Sequence, residues 1–129
     1  MKKTNKILIG LLLFIIMESC SSNDPTSAAK LFLDTEIAKE SNGYLKLVKF
    51  EKRDAVSQNI FGVEVYKIDY TGEVEAIKDG GRIYISNDRS DFGKYYPNGW
   101  PTNTETKIGS RYKIDGQMTL EKHENGWVK

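Results

Sequence analysis

Residues Gln58–Ile77 read QNIFGVEVYKIDYTGEVEAI. The stretch has no proline and is rich in β-branched and aromatic residues, the composition of a strand. It lies near the middle of the chain and predicts one long central strand on which the other elements pair or pack. Its apolar positions change phase. Phe61, Val63 and Val65 fall on one face, while Tyr66, Ile68, Tyr70, Val74 and Ala76 fall on the other. A strand of period two cannot keep one face buried through such a slip without an extra residue, so a β-bulge is expected near Val65–Tyr66. Fully extended, residues 61–77 would span ~56 Å, against ~17–20 Å for an ordinary strand. A strand of that length in a small domain must bend, which predicts a curved antiparallel sheet wrapped around a helix.

The helix is legible upstream. Asp24-Pro25 pairs an N-cap acceptor with proline at the first helical position, where its missing N–H costs nothing. Ala29, Leu33 and Ile37 recur at i, i+4 and i+8, widened by Ala28 and Phe32, with Lys30, Asp34 and Lys39 opposite. The pattern predicts an amphipathic helix over about 25–41 with its stripe in the core, ended by Asn42-Gly43. Tyr44–Lys52 (YLKLVKFEK) predicts a first strand whose alternation slips at Leu47-Val48. Asp79-Gly80-Gly81 is a turn signal, and RIYIS at 82–86 a short strand. Arg111–Lys122 alternates most cleanly, with Tyr112, Ile114, Met118 and Leu120 inward. Asn125-Gly126 predicts a type I′ turn leading into Trp127-Val128. The fold class expected is α+β, one N-terminal helix on a curved antiparallel sheet of about four strands.

The 129 residues suffice for one domain, and 39% hydrophobic with 29% charged residues fits a globular chain. Formal charge is +1; without Lys2, Lys3, Lys6 and Glu18 it becomes −1. No basic field is left to attract nucleic acid.

Residues 2–6 (KKTNK) precede the apolar run ILIGLLLFIIM at 7–17. That run is shorter than the ~20 residues of a membrane span and has the layout of a secretory signal peptide. Ser19 directly before Cys20, the single cysteine of the chain, resembles the lipobox of bacterial lipoproteins, with Met17 suiting its −3 position and Glu18 departing from it at −2. The resemblance implies a signal peptide at 1–19, lipidation of Cys20, a tether at 20–24 and a domain at 25–129. It places the protein in the cell envelope, anchored to a bacterial membrane, inner or outer. With no second cysteine, no internal disulfide is expected.

The order helix, long strand, longer strand, long connection, strand pair resembles the cystatin-like fold and the NTF2-like folds of small bacterial lipoproteins. Gln58-Asn59-Ile60-Phe61-Gly62 is similar to the Gln-x-Val-x-Gly signature of cystatins, in the hairpin between the first two strands after the helix. Gly62-Val63, Tyr66 and Gly116–Leu120 also look like cystatin strand segments, and the resemblance covers about 25–122. In cystatins that hairpin, a Pro-Trp hairpin and an N-terminal glycine wedge into papain-like proteases. The likeness implies a partner-binding role for Gln58, Ile60 and Gly62. Here residues 20–27 hold no glycine, and Trp100-Pro101 has the reverse order. Asn125-Gly126-Trp127 looks more like the NTF2-type lipoproteins.

No catalytic or metal pattern stands out. His123 is the single histidine and sits beside a predicted turn. Glu73 and Glu75 share a face and read as a charged solvent face with Lys67 and Lys78. Asp88 and Asp91 lack the calcium-loop spacing. No nucleophile-elbow pattern occurs, and neither an enzyme nor a cofactor is expected. Tyr84, Phe92, Tyr95, Tyr96 and Trp100 crowd one predicted loop. Such rings either bind a protein or glycan, with Tyr95, Tyr96 and Trp100 the contacts, or fasten the loop to the core. The expected function is a non-enzymatic binding or interaction module; the alternative is a cystatin-type cysteine-protease inhibitor.

Overall fold

A computed structural model describes residues 24–85, 92–98 and 104–129. Cys20, the segment 1–19 read as a signal peptide, Asp88, Asp91 and Trp100 lie outside the described residues. The elements are α1 (Pro25–Glu40), β1 (Leu45–Ile60), β2 (Val63–Ala76), β3 (Arg82–Ile83), β4 (Thr104–Glu105), β5 (Arg111–His123) and β6 (Gly126–Val128). The fold is α+β. Helix α1 packs on a four-stranded antiparallel sheet of order β1-β2-β5-β6, and β3 and β4 form a small separate pair.

Helix α1 begins and ends as its sequence dictates. The Asp24 carboxylate accepts from the Thr26 N–H at 2.9 Å and from the Ser27 hydroxyl at 3.0 Å, and Pro25 follows in the first turn. At the other end Asn42 (φ 54°) and Gly43 (φ 80°) are left-handed, and the Gly43 N–H reaches the Ala38 carbonyl at 2.8 Å. Ala29, Leu33 and Ile37 are buried. They share one core with Leu45 and Leu47 of β1, Ile68, Tyr70, Val74 and Ala76 of β2, Ile114, Met118 and Leu120 of β5, and Trp127 of β6.

The central stretch is not one strand. Residues 58–60 finish β1, Phe61-Gly62 turn, and Val63 starts β2. The first strand therefore runs eight residues past Lys52, up to Ile60. The expected bulge at Val65–Tyr66 is also absent, because β2 pairs with β5 without a break from Val65↔Glu121 to Glu75↔Arg111. The irregularities fall on β1 instead, between Leu47 and Lys49 and between Lys52 and Asp54. The slip read at Leu47-Val48 is thus a real extra residue, placed on the edge strand, where no second partner is disturbed. The phase change in β2 has another origin. Val65 is buried but stands outside the helix-facing core, on the convex side between its cross-strand partners Gln58 and Glu121.

The last turn falls one residue earlier than expected. Gly126 already pairs with His123, so Glu124-Asn125 make the loop. Among described non-glycine residues only Asn42 and Phe61 have positive φ, which excludes a type I′ conformation at Asn125.

Gly72 is required by the first bulge. A Cβ there would lie 2.5 Å from the Lys49 carbonyl oxygen. Its cross-strand partner Phe50 stacks on Tyr70, ring centroids 5.5 Å apart. Backbone cannot yield as a side chain does, so Gly72→Ala is expected to destabilise the fold by about 1–3 kcal/mol, read as a lower urea midpoint with an unchanged slope.

Candidate functional site

The end of the β1–β2 hairpin is the candidate site. The hairpin closes through a two-residue loop, Ile60 pairing with Val63 around Phe61 (φ 50°) and Gly62 (φ 84°). Positive φ at both loop positions is the type I′ geometry that matches the twist of the strands. Glycine at the second position is free to adopt it. Phenylalanine at the first is not, since Asn, Asp or Gly normally occupies that place and a bulky residue there is strained. Asn59 holds the turn by accepting the Gly62 N–H on its side-chain oxygen at 3.0 Å. The Phe61 side chain is fully exposed.

Phe61 does not stand alone. By register, Val56, Gln58 and Ile60 of β1 share the convex face with Val63 and Val65 of β2 and Val128 of β6. Val56, Ile60, Val63 and Val128 are exposed. From Ala55 to Val63 the chain carries no charge, in a sequence that is 29% charged. A second turn lies beside the first. β5 runs past Glu121, the partner of Val65, and turns at Glu124-Asn125. The two hairpins thus end on the same side of the sheet, two strand spacings or about 10 Å apart.

Of the residues read as partner-binding from sequence, Gln58, Ile60 and Gly62 come together at this tip. Tyr95 and Tyr96 do not join them. Tyr95 stacks on Tyr44 at 5.4 Å, and its N–H reaches the Glu40 carbonyl at 2.9 Å. Tyr96 meets Tyr84 edge-on at 6.5 Å. Phe92 is buried. These described rings fasten their loop at the end of the sheet where β1 begins, a strand's length from the hairpin tip. The sequence reading passed over Phe61, Val56, Val63 and Val128. The uncharged run Ala55–Val63 is the signal that marks them.

The carboxylates have ordinary partners. Glu73 and Glu75 flank Arg111 at 3.6 and 3.2 Å on the convex face. His123 lies 3.2 Å from Glu121, both exposed. An open polar trough of about 500 Å³ beside the second bulge is lined by Arg53, Asp54, Asp69, Tyr70, Asp115, Gly116 and Gln117. Among the described residues no three His, Cys, Asp or Glu side chains converge as a metal-holding group, and no helix is long and apolar enough to cross a membrane. The concave face of the sheet is occupied by α1.

Comparison with known proteins finds no matching family model, no matching curated protein and no matching solved structure.

Strain at Phe61 has a measurable consequence. A side chain larger than Asn in the left-handed region costs about 1–2 kcal/mol, and the fully exposed ring recovers none of it inside the fold. Phe61→Asn is expected to raise the stability of the isolated protein by about 1 kcal/mol, read as a higher urea midpoint; an unchanged or lower midpoint contradicts the strain.

Proposed function

We infer that the protein is a small lipid-anchored lipoprotein of the bacterial cell envelope, a non-enzymatic binding module whose working surface is the hairpin end. The observation that carries the reading is Phe61, a wholly exposed ring held in a strained turn within the uncharged run Ala55–Val63. A fold has no internal reason to keep such a residue, and strain of this kind concentrates at sites of contact. The N-terminal pattern around Cys20 supports the anchor, and the helix-filled concave face favours a surface contact over a deep pocket.

Anchoring is tested directly. The wild type is expected to incorporate labelled palmitate and to sediment with membranes, while Cys20→Ala loses both. An unlabelled wild type refutes the lipoprotein reading.

The second reading is a cystatin-type cysteine-protease inhibitor. What favours it is the adjacency of the Phe61-Gly62 and Glu124-Asn125 turns, two edges that could enter one cleft. It expects the detergent-solubilised protein to inhibit papain reversibly, and Phe61→Asp to abolish inhibition while leaving the circular dichroism spectrum unchanged. A wild type without effect on papain removes this reading.

A further inference from the structure

We propose that the hairpin end is a second membrane contact, with Phe61, Ile60 and Val63 seated in the interface of the same bilayer that holds the lipidated Cys20. The proposal rests on the lipid-anchored reading above and names the partner of its working surface.

The length of chain outside the structure sets the distance. Only Ser21–Asp24 separate Cys20 from the first residue of α1, and four residues reach at most ~14 Å. Helix direction sets the side. The C-terminal end of α1 is fastened where β1 begins, with the Leu45 N–H bonded to the Ser41 hydroxyl. From there the helix runs back toward the hairpin end. Its Glu36 meets Lys129, which directly follows Val128, the partner of Glu121, in the part of β5 that faces Val65. The chain therefore leaves toward the anchor from the hairpin's half of the sheet. The hairpin extends past the Val65–Glu121 row by about three residues, or roughly 10 Å. Tether reach and hairpin projection are of one size.

The chemistry fits an interface. Phe61 and the neighbouring aliphatic side chains offer apolar surface, and nine successive residues from Ala55 to Val63 bring no charge to desolvate. Backbone polarity is also limited at the apex, since Ile60 and Val63 pair and Asn59 accepts the Gly62 N–H. Affinity of the hairpin alone need not be high. A tether this short makes the second contact intramolecular, at millimolar effective concentration. The outcome would be a domain held in one orientation on the membrane, with the end where β1 begins turned outward.

The test uses the full-length lipidated protein on phosphatidylcholine vesicles. Lipidation converts the Cys20 thiol to a thioether, so Ile60→Cys supplies a single site for an environment-sensitive dye, and Lys46→Cys a control where β1 begins. The dye at position 60 is expected to shift to the blue and to be quenched by lipid-borne quenchers severalfold more than the dye at position 46. Adding Phe61→Asp is expected to return it to a water-like spectrum while the protein still sediments with vesicles. A protein that sediments with a water-like dye at position 60 overturns the proposal and leaves the anchor intact. A dye that responds to papain but not to vesicles overturns it in favour of the protease cleft. If the wild type does not sediment, the anchor and this proposal fall together.

Discussion

Helix α1 and strand β1 each contain 16 residues, and they cannot be the same length. At 1.5 Å per residue the helix is about 24 Å long; at about 3.3 Å the strand would approach 53 Å if straight. One helix can therefore cover only part of one face of the sheet. The division is visible along β1. Leu45 and Leu47 are buried under the helix, Phe50 and Ala55 partly so, and every residue from Val56 to Ile60 is exposed. The two bulges sit in the first part of β1, the stretch that carries its charged residues. Beyond Asp54 neither bulge nor charge is found, and the hairpin projects as bare strand pair.

That division gives the molecule two ends of different character. Where β1 begins, the chain is fastened by side chains. Thr106 is buried, accepts the Gly81 N–H at 2.7 Å and donates to the Lys78 carbonyl at 2.7 Å. Ser41, also buried, caps the entry to β1, and Tyr95 closes over Tyr44. Buried polar groups that are fully bonded fix one arrangement. The hairpin end has little of this. Its described contacts are the ladder itself, the Asn59–Gly62 bond, the tilted Tyr66–Trp127 ring pair, an exposed His123–Glu121 contact at 3.2 Å and an exposed Lys122–Glu64 pair at 3.9 Å, and exposed pairs of this kind contribute little. One end is specified by the fold; the other is left open.

Much of the helix and of the sheet strands was legible in sequence, because their signals are local. The cap at Asp24, the stripe of Ala29, Leu33 and Ile37, the glycine stop and the alternation of Tyr112–Leu120 each lie within one element and match the structure. The hairpin break at Phe61-Gly62 was not legible as a turn in the strand pattern. A type I′ loop is recognised by Asn or Gly at its first position, and phenylalanine there reads as one more strand residue. The phase change at Val65–Tyr66, which a bulge would absorb, has a different cause. In fact the apolar residues near the turn belong to the convex face, and a period-two pattern cannot say which face a helix too short for the strand will leave uncovered. For Tyr95 and Tyr96 the sequence offered contact or packing with equal force. Only the partners, Tyr44 and Tyr84, decide it.

The concealed turn is also where stability and use part company. At a solvent-exposed I′ loop, folding alone would favour Asn-Gly, which satisfies the backbone and removes an apolar ring from water. The chain instead places the most exposed large hydrophobic of its described residues at the position that tolerates it least. Neither the core nor the pairing of β1 with β2 gains from the ring, since Ile60 and Val63 close the ladder without it. The strain is therefore not repaid within the monomer. In the docking proposed above it is repaid when the ring leaves water, and a turn whose φ angles are both set by the hairpin has little backbone freedom left to lose on contact. A stiff, apolar and uncharged apex is a poor solution to folding and a good one to docking. For that reason the hairpin end, and not the fastened end with its half-buried tyrosines, is the surface to which a function is assigned.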